Sequence, residues 1–152
     1  MIKIIFICHG NICRSTMAEF VFKDMVKKNS LHNTFIVSAA TTTEELGNDT
    51  YPPVKRLLKE KGIPFEPRQA RQFKGSEYND FDYIIGMDDE NIRDLHRICN
   101  GDPEGKIYKL LDFANVDRNI ADPWYTGDFN TTYDDVILGC KGLLNEIQTR
   151  SN

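Results

Sequence analysis

Residues 2–15 read Ile2-Lys3-Ile4-Ile5-Phe6-Ile7-Cys8-His9-Gly10-Asn11-Ile12-Cys13-Arg14-Ser15, an apolar run that changes into a polar loop containing glycine. The apolar part, residues 2–7, has the β-branched and aromatic bias of a buried strand. After the loop, apolar residues recur at helical spacing at Met17, Phe20, Val21 and Met25. This stretch therefore predicts a strand, a short loop and an amphipathic helix over residues 15–29.

The rest of the chain repeats this alternation of short apolar runs and amphipathic segments. We predict further strands over residues 35–37, 81–87 and 107–111. Further helices are expected from Pro52 to about Gly62, over residues 88–98 and over residues 131–148. Strands that alternate with helices favour a parallel sheet covered on both faces. The predicted fold class is therefore α/β, with ligands bound at the carboxyl ends of the strands.

Length and composition are typical of one globular domain, which we assign to residues 1–152. The net charge of −4 provides no general field for binding nucleic acid. No run approaches the roughly 20 apolar residues of a membrane-spanning helix. The four cysteines, Cys8, Cys13, Cys99 and Cys140, are too scattered for a disulfide scaffold. We therefore expect a soluble, cytoplasmic protein that binds neither nucleic acid nor membranes.

The loop at residues 8–15 has the order of groups that builds an anion site. Backbone N–H groups of a short loop entering a helix N-terminus, together with the helix dipole, attract an anion. Arg14 adds a planar fork that can bind two phosphate oxygens, and the positive surroundings should hold Cys8 as a thiolate. Ser15 can cap the helix, donate to Cys8, or do both. The loop therefore indicates nucleophilic attack by Cys8 on phosphorus.

Further motifs extend over essentially the whole chain. After the Cys8 loop come Met17-Ala18-Glu19, Ser38-Ala39-Ala40-Thr41, Gly62-Ile63-Pro64, Ala70-Arg71-Gln72, Phe81-Asp82-Tyr83-Ile84, Met87-Asp88, Asn91, Arg93-Asp94-Leu95 and Asp122-Pro123-Trp124-Tyr125. In this order they resemble the low-molecular-weight protein tyrosine phosphatase family. The resemblance implies a single-domain, four-stranded parallel sheet with helices on both faces. It also implies hydrolysis of phosphotyrosine in proteins, and of small aryl phosphates, through a cysteinyl-phosphate intermediate without a cofactor.

The resemblance assigns roles to individual residues. Catalysis falls to Cys8, Arg14 and Asp122, and inorganic phosphate or vanadate would bind in the same site. The other members of the phosphate-binding loop are His9, Gly10, Asn11, Ile12, Cys13 and Ser15. Within this loop His9 should contribute its backbone N–H, with its side chain pointing away. Loop bracing is expected from Asn11, Ser15 and Ser38.

A general acid is also required by the chemistry, because the leaving phenolate needs a proton. Residue types alone cannot choose among the 23 acidic residues. Asp122 is attractive because Pro123 stiffens its loop and because Trp124 and Tyr125 could hold a phenyl ring. The resemblance selects Asp122 as the acid and implies a substrate wall formed by Glu44, Trp124 and Tyr125.

Three positions depart from the family pattern. Thr16 replaces a frequent proline, and Thr16-Met17-Ala18-Glu19 instead fits a capping box at the helix start. Arg68 or Pro67 falls where the family commonly has a histidine that braces the loop, so this contact is in question. Glu44 stands where many members have an aromatic residue, so substrate choice could differ.

Cys13 lies five residues after Cys8, close enough in a curled loop for the two sulfurs to meet. We expect Cys13 to capture an oxidised Cys8 and so protect it, with simple packing of Cys13 as the alternative. The three histidines are scattered, and no Cys or His spacing resembles a zinc site, so no metal is expected. Cys99 and Cys140 are interpreted as packing residues.

Three other functions share parts of this pattern. A thioredoxin-coupled arsenate reductase of the same fold needs a relay of neighbouring cysteines, whereas Cys99 and Cys140 are 41 positions apart in the sequence. Phosphoarginine phosphatases tend to have threonine where this chain has Ile12. A module that only binds phosphopeptides would be expected to have lost Cys8 or Asp122.

Overall fold

The computed structural model describes residues 1–151. Its four strands are β1 (Ile2–Cys8), β2 (Thr34–Ala40), β3 (Tyr83–Gly86) and β4 (Ile107–Lys109). Its α-helices are α1 (Arg14–Lys28), α2 (Pro52–Glu60), α3 (Asp89–Ile98), α4 (Pro123–Thr126) and α5 (Phe129–Ser151). Two short 3-10 helices cover Gly75–Asp80 and Leu110–Ala114.

The strands form one sheet in the order β2-β1-β3-β4, and every neighbouring pair is parallel. β1 is central and pairs along its whole length with β2, from Ile2 opposite Thr34 to Cys8 opposite Ala40. The predicted α/β class and the four-stranded parallel sheet are therefore confirmed.

Side chains that alternate along β1 face two separate cores. Ile4, Phe6 and Cys8 belong to the larger core, which is completed by buried residues of α1, α2 and α5. Ile5 and Ile7 belong to the smaller core, with Leu95 of α3 among its members. Because successive strand residues point to opposite faces, the two cores lie on opposite faces of the sheet. Each core contains helix residues, so helices cover both faces. The nearly continuous apolar run of β1 follows from this double burial.

Several element boundaries differ from the sequence prediction: β2 covers Thr34–Ala40 rather than residues 35–37, and α5 covers Phe129–Ser151 rather than residues 131–148. β4 ends at Lys109 rather than at residue 111, since Leu110 and Leu111 are fully buried within the following 3-10 helix. The backbone N–H of Lys109 donates to Asp112 Oδ2 at 3.1 Å, which ends the extended run. β3 is likewise limited to four residues, Tyr83–Gly86. Apolar composition alone could not separate a strand from a buried turn.

The predicted capping box at Thr16 was wrong. α1 begins at Arg14 with Cys13 as its N-cap, and Cys13 makes no side-chain cap. Thr16 Oγ1 donates back to the carbonyl of Cys13 at 3.1 Å, and Glu19 is bonded to Ser38 from β2 instead of to the helix start. A long-range partner has therefore replaced the local one.

Among the residues that the structure describes, no helix is both long enough and apolar enough to cross a membrane. The carboxyl ends of β1 and β3 lie side by side, because Ile7 pairs with Gly86. Cys8 is the last residue of β1 and Asp88 follows β3 by two residues, so both are brought to the same edge of the sheet.

Candidate active site

The Cys8 side chain lies at the end of β1, where the chain turns toward α1. Only 3% of its surface is exposed. Its Sγ is 3.1 Å from Ser15 Oγ and accepts the backbone N–H of Ser15 at 3.4 Å. Both groups belong to Ser15 in the first turn of α1, so the sulfur faces the positive end of the helix dipole. Ser15 therefore places its hydroxyl and its N–H against the sulfur.

The loop between Cys8 and α1 forms a cup of backbone N–H groups. Within residues 1–151, the N–H groups of residues 9–13 find no protein acceptor. Asn11 adopts a left-handed backbone with a φ of 59°, a conformation that asparagine tolerates better than most residues. Unpaired N–H groups in a curled loop are the usual donors to a bound oxyanion.

Asn11 braces the cup from behind and is fully buried. Its Nδ2 donates to Ser15 Oγ at 2.8 Å and to Ser38 Oγ at 2.9 Å. Because Ser15 Oγ accepts this bond, its own proton is available for an ionised Cys8. Ser38 in turn donates to Glu19 Oε1 at 2.6 Å. The predicted bracing residues Asn11, Ser15 and Ser38 thus lie in one chain of hydrogen bonds that ends at Cys8.

Arg68 closes this network on the other side of Asn11. Its Nη2 donates to Asn11 Oδ1, which also accepts the backbone N–H of Arg71 at 3.3 Å. A second guanidinium nitrogen donates to the carbonyl of Asn48 at 3.1 Å. The brace questioned at this position is therefore present, with arginine as the donor.

Arg14 lies under the cup and is 3% exposed. Its Nη1 donates to Asp88 Oδ2 at 2.5 Å and to the carbonyl of Ile120 at 3.0 Å, and its Nη2 is 3.5 Å from Asp122 Oδ2. Burial lowers the pKa of Arg14, but the charges of Cys8, Asp88 and Asp122 outweigh burial, so this pKa lies above the ordinary value. Within the described residues the buried Nε has no partner. That nitrogen is available to an anion.

Asp122 is the N-cap of the short helix α4. Its Oδ1 accepts the backbone N–H of Trp124 at 3.1 Å, while Oδ2 faces Arg14. Pro123 is the first residue of α4, where its missing N–H costs nothing. Asp122 is thus held at the mouth of the site by a cap that leaves one carboxylate oxygen toward the pocket.

One pocket unites most of the predicted residues. It is lined by loop residues Cys8, His9, Gly10, Ile12 and Cys13, and by Glu44, Glu45, Asp122, Trp124 and Tyr125. Trp124 is half exposed and Tyr125 is 80% exposed. The Tyr51 ring supports Trp124 from behind, with centroids 4.8 Å apart. One part of the pocket wall is therefore aromatic, and Cys8 lies among the loop residues that line the pocket.

The side chain of His9 does not point away from the pocket as expected. Its Nε2 lies 2.8 Å from Glu44 Oε2, and both residues line the pocket. The glutamate at this wall position gives His9 a carboxylate partner. The backbone of His9 is held separately, because its carbonyl accepts Thr42 Oγ1 at 2.9 Å.

All four cysteines are free thiols. Burial, with smaller effects of Cys8 and Asp122, raises the pKa of Cys13. Burial also raises the pKa of Cys140, which belongs to the larger core, while Cys99 packs against the smaller one. No group of three or more His, Cys, Asp or Glu residues in residues 1–151 is arranged to hold a metal ion.

Sequence reasoning missed three supporting residues. Asp88 was recognised as part of a motif and of a first helical turn, but not as the partner of Arg14. Tyr51 and Glu45 were not predicted at all, although both contact the site. The position of Asp88 just after a buried strand could have identified it, because ligand-binding side chains gather at such strand ends.

Comparisons with known proteins agree with this geometry. The model of the family described as low molecular weight phosphotyrosine protein phosphatase matches residues 3–152. The low molecular weight protein-tyrosine-phosphatase PtpA of Staphylococcus aureus is 33% identical, and the match covers 100% of this chain and 97% of the relative.

Two solved structures share the fold over nearly their full length. The crystal structure of YfkJ from Bacillus subtilis is 37% identical with a TM-score of 0.96, covering 100% of this chain and 98% of that one. A Drosophila protein described as an arginine phosphatase is 28% identical with a TM-score of 0.89, covering 96% of this chain and 98% of that one.

Proposed function

Because the chain belongs to the low molecular weight phosphotyrosine protein phosphatase family, we propose that it hydrolyses phosphotyrosine in proteins, and small aryl phosphates, through a phosphocysteine on Cys8. The observation that carries this proposal is that Cys8 and Asp122 line one pocket, with Arg14 Nη2 only 3.5 Å from Asp122 Oδ2. The unpaired N–H groups of the loop and the free Nε of Arg14 support a bound phosphate between them.

In the first step, the Cys8 thiolate attacks phosphorus and the bond from phosphorus to the phenolic oxygen breaks. Arg14 and the loop N–H groups stabilise the negative charge on the oxygens of the transferring group. Asp122, in its protonated form, gives its proton to the leaving phenolate. The products are a free phenol and phosphate bonded to the sulfur of Cys8.

In the second step, water attacks the phosphocysteine and the bond from phosphorus to sulfur breaks. Asp122, now a carboxylate, accepts a proton from this water and returns to the acid form. Inorganic phosphate leaves, and Cys8 is again a thiolate that Ser15 can stabilise with its hydroxyl and backbone N–H. No outside reductant or cofactor enters the cycle.

The pocket walls support an aromatic substrate. Trp124 and Tyr125 follow the proposed acid in the chain, and both line the pocket together with Ile12. A phenyl ring between these side chains would bury apolar surface and contact an aromatic face. The same arrangement suits both phosphotyrosine and small aryl phosphates.

Phosphoarginine is the nearest alternative, since a similar solved structure is described as an arginine phosphatase. A guanidinium group carries several N–H donors that need acceptors. Ile12 offers none, and a polar group left unpaired against an apolar side chain is costly. This position therefore favours the aryl substrate.

Arsenate reduction is disfavoured by the positions of the remaining cysteines. A relay passes a disulfide between neighbouring thiols, whose Cα atoms must come within roughly 7 Å. Cys99 and Cys140 pack in cores on opposite faces of the sheet.

We also propose that the enzyme acts in the cytoplasm, because all four cysteines are free thiols, as is usual in reducing compartments.

Turnover of p-nitrophenyl phosphate, with and without EDTA and with added vanadate, tests the proposed function. We expect a rate that EDTA leaves unchanged and that vanadate inhibits. Phosphotyrosine should be a better substrate than phosphoarginine at equal concentration. A rate that EDTA abolishes, or a preference for phosphoarginine, would contradict the proposal.

A further inference from the structure

The segment that carries the proposed acid is attached to the fold from several sides. We call residues 117–122 the acid loop. At its centre, Ile120 is fully buried, and its N–H donates to the carbonyl of Met87 at 3.0 Å. The carbonyl of the same residue accepts Arg14 Nη1 at 3.0 Å. The acid loop therefore holds the phosphate-binding arginine as well as the acid.

Helix α5 contacts the acid loop directly before Asp122. Thr132 is 1% exposed, and its Oγ1 donates to the carbonyl of Ala121 at 2.9 Å. The alternative acceptor within its own helix, the carbonyl of Asp128, is more distant at 3.4 Å. The hydroxyl is thus directed mainly at the peptide group that joins Ala121 to Asp122.

A second contact from α5 holds the beginning of the acid loop. Arg118 Nη1 and Nη2 donate to the two carboxylate oxygens of Asp135 at 2.6 and 2.8 Å. A bidentate pair of this kind fixes orientation as well as distance. Asp135 lies one helical turn after Thr132, so the two contacts come from the same face of α5.

The opposite flank of the acid loop is held by β4 and α3. Lys109 is 8% exposed, and its Nζ donates to Asn119 Oδ1 at 3.1 Å and to Asp89 Oδ1 at 2.9 Å. The backbone N–H of Asp89 also donates to Asn119 Oδ1 at 3.1 Å. Asn119 is thereby fixed to the N-terminal turn of α3, next to Asp88.

From these contacts we propose that Thr132 is a positioning residue for the general acid, and that Lys109 assists it from the other flank. The inference rests on the proposed function of Asp122. Thr132 does not reach the pocket, and it acts by fixing the Ala121 carbonyl so that the Asp122 carboxylate is presented at a constant distance from the leaving oxygen. Proton transfer needs this precision, because it occurs only within hydrogen-bond reach.

Thr132→Val is the central test, since valine keeps the shape of threonine and removes the donor. We expect kcat/KM for phosphotyrosine to fall about tenfold, because small misplacement of a catalytic group is costly. For p-nitrophenyl phosphate, whose phenolate leaves more easily without a proton, the loss should stay within about twofold. Arg14 keeps its bond to Asp88 in this variant, so phosphate binding should persist.

Two further variants separate this role from general stability. Thr132→Ser retains the hydroxyl and should restore most of the phosphotyrosine rate. Thr131→Val is the matched control, because Thr131 is exposed and its hydroxyl donates to Asp128 rather than to the acid loop, so both substrates should be hydrolysed at the parental rate. An equal loss on both substrates in Thr132→Val, or no loss on either, would overturn the proposal.

A double variant tests whether Thr132 acts through Asp122. In the Asp122→Asn background the acid is already absent, so adding Thr132→Val should cause no further loss on phosphotyrosine. A further tenfold loss would show action elsewhere and overturn the proposal. If Asp122→Asn alone does not slow phosphotyrosine more than p-nitrophenyl phosphate, the proposed role of Asp122 fails instead, which is a separate outcome.

Lys109→Met gives a second route if Thr132→Val fails to fold, as judged by its thermal unfolding. Methionine retains much of the apolar length of lysine but cannot donate to Asn119. The proposal requires the same selective loss on phosphotyrosine in this variant. If both substrates were hydrolysed at the same fraction of the parental rate, the proposal would be contradicted.

Discussion

Arg14 Nη2 lies 3.5 Å from Asp122 Oδ2, although the two residues are 108 positions apart in the sequence. One belongs to the first turn of α1 and the other caps α4. The cation proposed to hold phosphate is therefore adjacent to the proposed acid, which lines the pocket. This contact joins the N-terminal part of the chain, which contains the phosphate-binding loop, to the C-terminal part, which contains the proposed acid.

Asp122→Asn should act selectively on substrates with poor leaving groups. Asparagine keeps the size of the side chain and can still cap α4, but it cannot donate a proton to a phenolate. We expect kcat/KM for phosphotyrosine to fall by about 10²–10⁴, with a much smaller loss for p-nitrophenyl phosphate. Asp117→Asn, an exposed position in the acid loop, is the control. Equal losses on both substrates would show that Asp122 is structural.

Arg14→Lys should be severely impaired. Lysine retains the charge but not the planar fork, and it cannot satisfy Asp88, the Ile120 carbonyl and a phosphate together. We expect a loss of about 10²–10³ in kcat, comparable to the removal of an oxyanion donor. Steady-state kinetics with p-nitrophenyl phosphate measures it. A rate near that of the parent would mean that Arg14 does not contact the phosphate.

Trp124→Ala should weaken the binding of aryl substrates. The ring is half exposed and is supported by Tyr51, so its removal opens the wall without emptying the core. We expect KM for phosphotyrosine to rise about three- to tenfold, in line with aromatic contacts of about 0.5–1.5 kcal/mol. KM for a small alkyl phosphate serves as the internal control and should change little. An equal rise for both substrates would place the ring-binding wall elsewhere.

Cys13→Ala should keep most of the phosphatase activity but lose reversible protection against peroxide. Oxidation of Cys8 gives a sulfenic acid, which the Cys13 thiol can capture as a disulfide with release of water. In the parent, activity lost to peroxide should return with a thiol reductant, and phosphate in the site should slow the loss. Cys99→Ala, on the opposite face of the sheet, is the control. Full recovery in Cys13→Ala would refute the protective role.

The Cys8 loop could be predicted from sequence because its chemistry is local. A buried strand, a cysteine, a glycine-containing turn, an arginine and the start of a helix occur within residues 2–15, and the structure joins them in that order. The parallel sheet could also be predicted from the sequence, since alternating strands and helices leave few other arrangements.

Asp122 could not be selected by chemical reasoning alone. Proton donation requires a carboxyl group that lies at the pocket. The sequence contains 23 acidic residues, and it does not show which of them lies there. Only the family motif around residues 122–125 singled it out. The structure places it at the pocket through contacts with α5, β4 and α3 that no local pattern reveals.

Glu19 illustrates why local patterns can fail. Its spacing from Thr16 fits a capping box, but its carboxylate accepts Ser38 Oγ at 2.6 Å and pairs with Lys23 at 2.5 Å. Sequence proximity suggested one partner, and the packing of β2 against α1 supplied another. The Asp88 to Arg14 and Tyr51 to Trp124 contacts were missed for the same reason, because both join distant parts of the chain.

The most direct measurement of the central claim is acid quenching during turnover of p-nitrophenyl phosphate, followed by mass spectrometry of the protein. A covalent mechanism predicts one phosphoryl group on Cys8 within the first turnovers. Cys8→Ser should carry no phosphoryl group and show no turnover, while still binding inorganic phosphate, because serine is a far weaker nucleophile at neutral pH. Substantial turnover by Cys8→Ser, or rapid hydrolysis by the parent with the phosphoryl group on another residue, would contradict nucleophilic catalysis by Cys8.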